Sequence, residues 1–348
     1  MKISILYSPF ALFMFLFSAC FSNGGDGGNW IIPKDQVFDG GPGKDGIPSI
    51  DSPEFGTIAD NDIWAASDKI IAIKVGDEIR GYPHPILDWH EITNDEINGL
   101  PIALTYCPLT GTASAWKREF NGTKTTFGVS GLLYNANLMP YDRATDSRWS
   151  QLLLSSVEGK NVGLKIETYP VLETKWETFK ALFPDAKVMT TNTGFSRNYE
   201  RYPYGDYRTN NNNLLFPIAK DDDRLPRKER GLAVIINEKA KFYRFDSFAG
   251  GDLVVKEDVF ESTDLVVFGS QNKNFMVAFN ARMEDGTKLE FSVSGTDAGT
   301  VTDNEGNIWN LFGEAVSGPR AGTKLPSIDN LIGYWFSFGA FYPGLQIY

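Results

Sequence analysis

The sequence Ile70-Ile-Ala-Ile-Lys-Val-Gly-Asp-Glu-Ile-Arg-Gly-Tyr82 predicts a β-hairpin, and it sets the fold class of the chain. Its first arm is almost wholly β-branched, and Gly76-Asp77 is a turn dipeptide between the two arms. Residues 101–106 and 124–129 show the same strand character. The first half of the chain is therefore expected to be built mainly from strands.

Two stretches have helical character. Pro85–Asn94 begins with proline, which is favourable in the first turn of a helix, and Thr174–Phe183 stops before Pro184. In a helix over 85–94, His84 would lie just before the first turn, and His90 and Asn94 would share a face. With so few helices among many strands, we expect a strand-rich α+β fold.

The chain also repeats itself with an offset of about 160 residues. A repeated strand motif and two tryptophan pairs are collinear in the two copies. They are Phe127-Gly-Val-Ser-Gly131 with Phe291-Ser-Val-Ser-Gly295, Trp149 with Trp309, and Trp176 with Trp335. We interpret the chain as two diverged copies of one domain, at 61–192 and 231–348. A polar segment, 193–230, is expected to join them as an exposed loop.

The N-terminus has the pattern of a lipoprotein signal. Lys2 precedes the apolar stretch Ile5–Phe17, and Leu16-Phe17-Ser18-Ala19-Cys20 resembles a lipobox, with small residues before a cysteine. We expect residues 1–20 to be signal peptide and lipobox, Cys20 to carry the lipid, and 21–60 to be tether and N-terminal extension. The protein would then be exported and anchored to the bacterial cell envelope through its N-terminal lipid.

Charge and composition narrow the class of partner. The formal net charge is −11 and no basic stripe is present, which argues against nucleic acid as a partner. The sequence identifies no small-molecule or protein partner.

The residues best suited to chemistry fall in one short region. If Cys20 is lipidated, Cys107 is the one thiol of the mature protein, and the two histidines of the chain, His84 and His90, are near it in sequence. The second copy has neither residue type. Because both copies need the same fold, residues peculiar to one copy are better candidates for function than shared ones. We therefore predict a site that contains Cys107 and His90, with Glu91 or Asp95 orienting a histidine. His84 and Arg143 or Asp142 would line it.

Several segments resemble a bacterial family catalogued as domain of unknown function 3179. They are Tyr82–Asp95, Thr105–Thr112, Gly128–Leu133, Tyr141–Trp149 and Lys44–Asp51. The resemblance extends from about Gly40 to the C-terminus and implies no established activity. Family members often carry a second cysteine where this chain has Thr110, so the resemblance does not require a two-cysteine site here.

Three functional hypotheses follow from the region around Cys107. In the first, His84, His90 and Cys107 bind copper or zinc, with Met139 as a weak axial ligand. In the second, the protein is a metal-free hydrolase or transferase with Cys107 as nucleophile and His90 as its base. Glu91 or Asn94 would orient His90, and backbone N–H groups near Gly111 together with Arg143 would stabilise an anion. In the third, the protein is a non-enzymatic surface lipoprotein that binds a ligand or partner. A free thiol outside the cytoplasm is prone to oxidation, and a bound metal would shield it, so we favour the metal-binding hypothesis.

Overall fold

A computed structural model describes residues 28–294 and 299–348. The predicted signal peptide, the lipobox and Cys20 lie outside these residues. Within them, every helix is too short or too polar to cross a bilayer.

Strands dominate both halves of the described chain, as predicted. The strands of the first half are β1 (Val37–Asp39), β2 (Phe55–Gly56), β3 (Lys69–Val75), β4 (Glu78–Pro83), β5 (Ile92–Ile97), β6 (Leu100–Cys107), β7 (Thr112–Lys117), β8 (Glu119–Phe120), β9 (Thr123–Lys124), β10 (Phe127–Tyr134), β11 (Asn137–Asp142), β12 (Arg148–Ser150), β13 (Ser155–Glu158), β14 (Thr168–Tyr169), β15 (Val171–Lys175) and β16 (Lys187–Met189). Those of the second half are β17 (Arg230–Ile236), β18 (Lys239–Arg244), β19 (Val254–Phe260), β20 (Thr263–Ser270), β21 (Phe275–Asn280), β22 (Phe291–Val293), β23 (Thr300–Asp303), β24 (Ile308–Asn310), β25 (Ala315–Ser317), β26 (Asp329–Tyr334) and β27 (Gln346–Ile347).

The helices are short and sit at strand ends. They are α1 (His84–His90), α2 (Trp176–Leu182) and α3 (Trp335–Phe341), with single 3₁₀ turns at Lys34–Gln36, Ala59–Asn61 and Phe245–Phe248. The strand-rich α+β class is thus confirmed.

Each half contains three sheets. In the first half the strand orders are β15-β3-β4-β16-β2, β14-β7-β6-β5 and β1-β10-β11-β12-β13, with a separate β8-β9 ribbon. In the second half they are β26-β17-β18-β27, β19-β20-β21 and β22-β23-β24-β25. Pairing between named strands is antiparallel except for β4 with β16 and β18 with β27. Antiparallel pairing suits chains whose consecutive strands are joined by short turns.

The predicted hairpin is confirmed as β3 and β4, with Ile71 opposite Tyr82. The helix predicted over 85–94 forms, but it begins one residue earlier than predicted and is shorter. It includes His84 and ends at His90, because Glu91 has a positive φ and Ile92 starts strand β5. Asn94 therefore lies on a strand and does not share a helix face with His90. The second predicted helix, 174–183, forms as α2.

The two halves have matching local contacts. Tyr82 donates to Asp95 (2.6 Å) just as Tyr243 donates to Asp258 (2.7 Å). The indoles of Trp149 and Trp309 donate to Asp142 and Asp303, at 3.0 and 2.8 Å. Trp176 and Trp335 each open a helix. These parallels support the proposed duplication, for which superposition of the two halves is the direct test.

The halves share a hydrophobic core, and the segment between them is not simply exposed. One buried cluster combines Ile71 and Trp176 of the first half with Phe268 and Trp309 of the second. The connecting segment 193–229 contains no helix or strand, as expected for a loop. However, Tyr207 within it is fully buried, so the expectation of an exposed loop is wrong there. Tyr199 and Tyr207 of this segment pack inward because apolar burial stabilises them.

Candidate functional site

Cys107 is the last residue of β6, at the start of the tight turn that leads into β7. Gly111, at φ 65°, closes this turn by donating its N–H to the Cys107 carbonyl at 2.8 Å. The Cys107 sulfur accepts a hydrogen bond from the Leu138 N–H at 3.3 Å and also contacts Thr110. Burial, and then the nearby Glu91 carboxylate, raise the pKa of the Cys107 thiol to about 11. The thiol is therefore protonated at neutral pH.

Glu91 is held beside this thiol by an unusual backbone conformation. Its φ of 58° and ψ of −34° lie outside the regions that residues with a Cβ favour. Its N–H donates to the Leu87 carbonyl (2.8 Å), and its carbonyl accepts from the Tyr106 N–H (2.6 Å), which fixes it next to the end of β6. Strain of this kind costs about 1–3 kcal/mol and is common at functional sites.

The Glu91 side chain is largely buried, and its carboxyl has no hydrogen-bond or ion-pair partner in the part of the chain that the structure describes. The residue is 6% exposed. Burial, and then the neighbouring Asp88, raise the pKa of Glu91 to about 8. At neutral pH, Glu91 is mostly a carboxylic acid that can donate a proton, and its minor ionised form can accept one.

The two histidines face other partners. His90 Nδ1 lies 2.8 Å from the Pro48 carbonyl, and its Nε2 lies 2.7 Å from the Tyr199 hydroxyl. His84 Nε2 lies 3.3 Å from Glu173 Oε2. Burial lowers the pKa of His84 to about 4, so its ring is neutral at neutral pH. The structure does not bring Cys107 and His90 into contact, because both ring nitrogens of His90 are already occupied.

His84, His90 and Cys107 therefore do not converge as a ligand set for copper or zinc. Across residues 28–294 and 299–348, no group of three or more His, Cys, Asp or Glu side chains is arranged to bind a metal ion. Met139, the suggested axial ligand, is buried in a separate apolar cluster with Ile32 and Val157.

Arg143 and the other candidate residues have structural partners elsewhere. Arg143 donates to Asp51 (2.9 Å) and to Ser49 (2.8 Å). Asp142 accepts from the Trp149 indole, and Asp95 accepts a bidentate pair from Arg80. Asn94 bonds the backbone of Phe127 through both of its amide atoms. The Gly111 N–H is used by the turn and Arg143 is paired with Asp51 and Ser49, so neither of these two groups is free for the predicted anion site.

The connecting segment supplies groups that the sequence did not single out. They are Tyr202, Tyr204, Tyr207, Arg208 and Lys228. Tyr207 donates to the Leu109 carbonyl (2.9 Å) in the turn after Cys107, and Arg208 makes a bidentate pair with Asp88 (2.6 Å). Tyr204 lies close enough to Glu91 and Cys107 for their charges to help raise its pKa. Four tyrosines within a polar segment, Tyr199, Tyr202, Tyr204 and Tyr207, were the available signal that it packs on the body of the protein.

Charged side chains from the two halves also meet next to this site. Arg230 of β17 pairs with Glu173 of β15. Burial opposes ionisation of Glu173, but the charge of Arg230 outweighs it and keeps the pKa of that carboxyl well below its usual range. The cluster lies at the junction of both halves and the connecting segment.

The model of the family described as "Protein of unknown function (DUF3179)" matches residues 44–345. The chain belongs to this family. Neither the curated proteins nor the solved structures contain a significant match to it. Membership in DUF3179 confirms the resemblance drawn from the sequence and assigns no reaction. At the position where family members often have a second cysteine, Thr110 contacts the Cys107 sulfur, so the two positions are neighbours in space.

Proposed function

We propose that this protein is an exported hydrolase or transferase in which Cys107 attacks an acyl group and Glu91 transfers the proton. The observation that carries the proposal is Glu91, a largely buried residue in a strained backbone conformation, whose carboxyl has no partner within the described residues and is near enough to Cys107 for its charge to raise the pKa of the thiol. Glu91 takes the role that the sequence interpretation gave to His90.

The pKa values of the pair fit general acid–base catalysis. A thiol with a pKa of about 11 supplies almost no thiolate at neutral pH, so it needs a base at the moment of attack. The most effective base has a pKa near the working pH, and the pKa of Glu91 is about 8. Asp88 is less available, because Arg208 binds both of its oxygens.

The proposed reaction is balanced within this pair and its substrate. The ionised Glu91 carboxylate accepts the S–H proton as the sulfur bonds to the acyl carbon of an ester. The bond between acyl carbon and alkoxy oxygen breaks, and Glu91 returns the proton to the leaving alkoxide. Water, or another acceptor in a transferase, then attacks the acyl carbon while Glu91 accepts its proton, the acyl–sulfur bond breaks, and Glu91 returns the proton to the Cys107 sulfur. The connecting segment must move aside for substrate to enter.

The test is ester cleavage by the full chain, measured with p-nitrophenyl acetate and p-nitrophenyl butyrate. Mass spectrometry of acid-quenched samples should find the acyl group on Cys107. Cys107→Ser should abolish acylation, and Glu91→Gln should lower the rate at least about 100-fold, in line with the loss of a general base. Glu200→Gln, at an exposed site, is the matched control and should leave the rate unchanged. An unaltered rate in Glu91→Gln, or acylation at another residue, would refute the proposal.

We further propose that the protein is a lipoprotein of the cell envelope, anchored through Cys20. The signal pattern at residues 1–20 supports this. Cys20→Ala should abolish fatty-acid labelling and move the protein out of the membrane fraction. Continued acylation of that variant would show that the anchor is elsewhere.

A further inference from the structure

Lys228 is a buried amine without a counter-ion, and burial lowers the pKa of its ammonium group to about 7, so that about half of it is charged at neutral pH. The residue is 8% exposed, and its ammonium nitrogen has no hydrogen-bond partner in the described part of the chain. Its backbone N–H donates to the Asn211 side chain at 2.8 Å, so its main chain is fixed in the connecting segment. Buried charges are normally paired, because leaving water without a partner is unfavourable.

Aromatic rings surround the Lys228 ammonium. It lies 3.1 Å from the ring centroid of Tyr207, 4.8 Å from that of Phe336 and 5.2 Å from that of Tyr334. Ring faces attract a cation, but they offer no oxygen that could accept its N–H hydrogen bonds. The donors of Lys228 therefore remain available.

Two other cations of this region, Arg208 and Arg230, each have the carboxylate partner that Lys228 lacks. Arg208 binds the carboxylate of Asp88, and Arg230 binds that of Glu173. No hydrogen bond or ion pair joins Lys228 to Glu91 in the described part of the chain. Of these three cations, Lys228 alone lacks an anion.

Lys228 also belongs to the site around the thiol. The three rings that surround it lie in the same buried cluster as Cys107. The thiol is protonated at neutral pH, but the two groups are near enough for an ionised Cys107 to raise the pKa of Lys228. An anion paired with Lys228 would therefore lie beside the proposed nucleophile.

We propose that Lys228 binds an anionic group, a carboxylate or a phosphate, carried by the ligand of the Cys107 site. That the ligand is the substrate rests on the proposed function, whereas the anion site itself can be tested by binding alone. Binding brings the ligand through the connecting segment and provides Lys228 with its missing acceptor.

The experiment measures the thermal unfolding midpoint of the full chain during titration with sodium phosphate and, separately, sodium glutarate. Sodium chloride keeps the ionic strength constant. A ligand that binds the native state raises the midpoint saturably. We expect a saturable rise in at least one arm, and the responding arm distinguishes phosphate from carboxylate. Lys228→Met should raise the half-saturating concentration at least about tenfold, as expected for losing a charge-assisted hydrogen bond.

Two further variants make the result decisive. Lys228→Arg keeps the charge and should keep the response, and it replaces the methionine variant as the informative protein if that variant does not fold. Lys220→Met removes an exposed lysine of the same segment and should behave as wild type. No saturable rise in wild type, an equal response in Lys228→Met, or no response in Lys228→Arg would overturn the proposal. Glu91→Gln should retain anion binding, so a failure of the acyl-transfer proposal would not be mistaken for a failure of this one.

Discussion

The turn at Cys107–Thr112 in the first half and the turn at Ser270–Phe275 in the second have the same backbone plan and different chemistry. In each, the first residue ends a strand and pairs with the residue that opens the next strand. Gly111 and Asn274 both have positive φ, at 65° and 57°. Ser270 donates to the Gly251 carbonyl (3.3 Å) and accepts from the Lys273 N–H (3.2 Å), as an ordinary turn residue does.

The same contrast holds one strand away. Glu91 precedes β5 in a strained conformation, whereas Val254, at the matching distance before Asp258, is part of strand β19. The fold therefore requires neither a thiol nor a strained carboxyl at these positions. Under the proposed duplication, the second half is an internal reference for the first, and the presence of both groups in one half is what a function would explain.

The largest expected contrast between the halves is in pH dependence. Glu91 has a pKa of about 8 in the folded protein and about 4.5 when unfolded, so the folded state binds more protons between these values. Its contribution to stability is thus greatest at acid pH and declines as pH rises towards 8. Between pH 5 and pH 8 this loss should be up to about 4 kcal/mol, from about 1.4 kcal/mol per pH unit.

Urea unfolding of wild type and Glu91→Gln at pH 5, 6, 7 and 8 measures this loss. The free energy of unfolding of Glu91→Gln, relative to wild type, should increase with pH, and that of Glu200→Gln should not. Parallel pH profiles for Glu91→Gln and wild type would show that Glu91 titrates normally.

The next contrast concerns the position three residues before each helix-opening tryptophan, where Glu173 in the first half matches Ile332 in the second. Glu173→Gln leaves the partly buried Arg230 without its carboxylate and should lower the free energy of unfolding by up to about 3 kcal/mol. Ile332→Val removes one methyl group and should cost about 1 kcal/mol. Urea unfolding at pH 7 compares the two variants. Equal losses would mean that the inter-half ion pair contributes no more than apolar packing.

The smallest effect is a similarity. Tyr82→Phe and Tyr243→Phe each remove a phenolic hydroxyl group that donates to a carboxylate, that of Asp95 or of Asp258. Each should lower the free energy of unfolding by about 1.5 kcal/mol, as expected for a hydrogen bond to a charged group. Urea unfolding of both variants under one condition tests the match. A measurable loss in one half and none in the other would show that the two contacts are similar in geometry alone.

Local sequence predicted much of the fold. Alternating and β-branched residues specified the hairpin at Ile70–Tyr82, and Pro85 located the start of α1, because these signals act over a few neighbouring residues. The extent of α1 was not readable in the same way. Residues 91–94 have no helix breaker, and their conformation is set by pairing of Ile92 with Thr105 on the neighbouring strand.

The sequence by itself determined the strand-rich class, the family and the short region in which Cys107 and Glu91 occur. Tertiary structure decided which of those residues meet. The sequence pointed to His90 as the partner of Cys107, yet the ring nitrogens of His90 bond to Pro48 and Tyr199. The strained residue Glu91 is the one whose charge acts on the thiol. The tertiary structure also placed Lys228 in the same site as Cys107, although more than a hundred residues separate the two along the chain. Burial and long-range contacts set pKa values and partners, and neither is encoded in the spacing of residues along the chain.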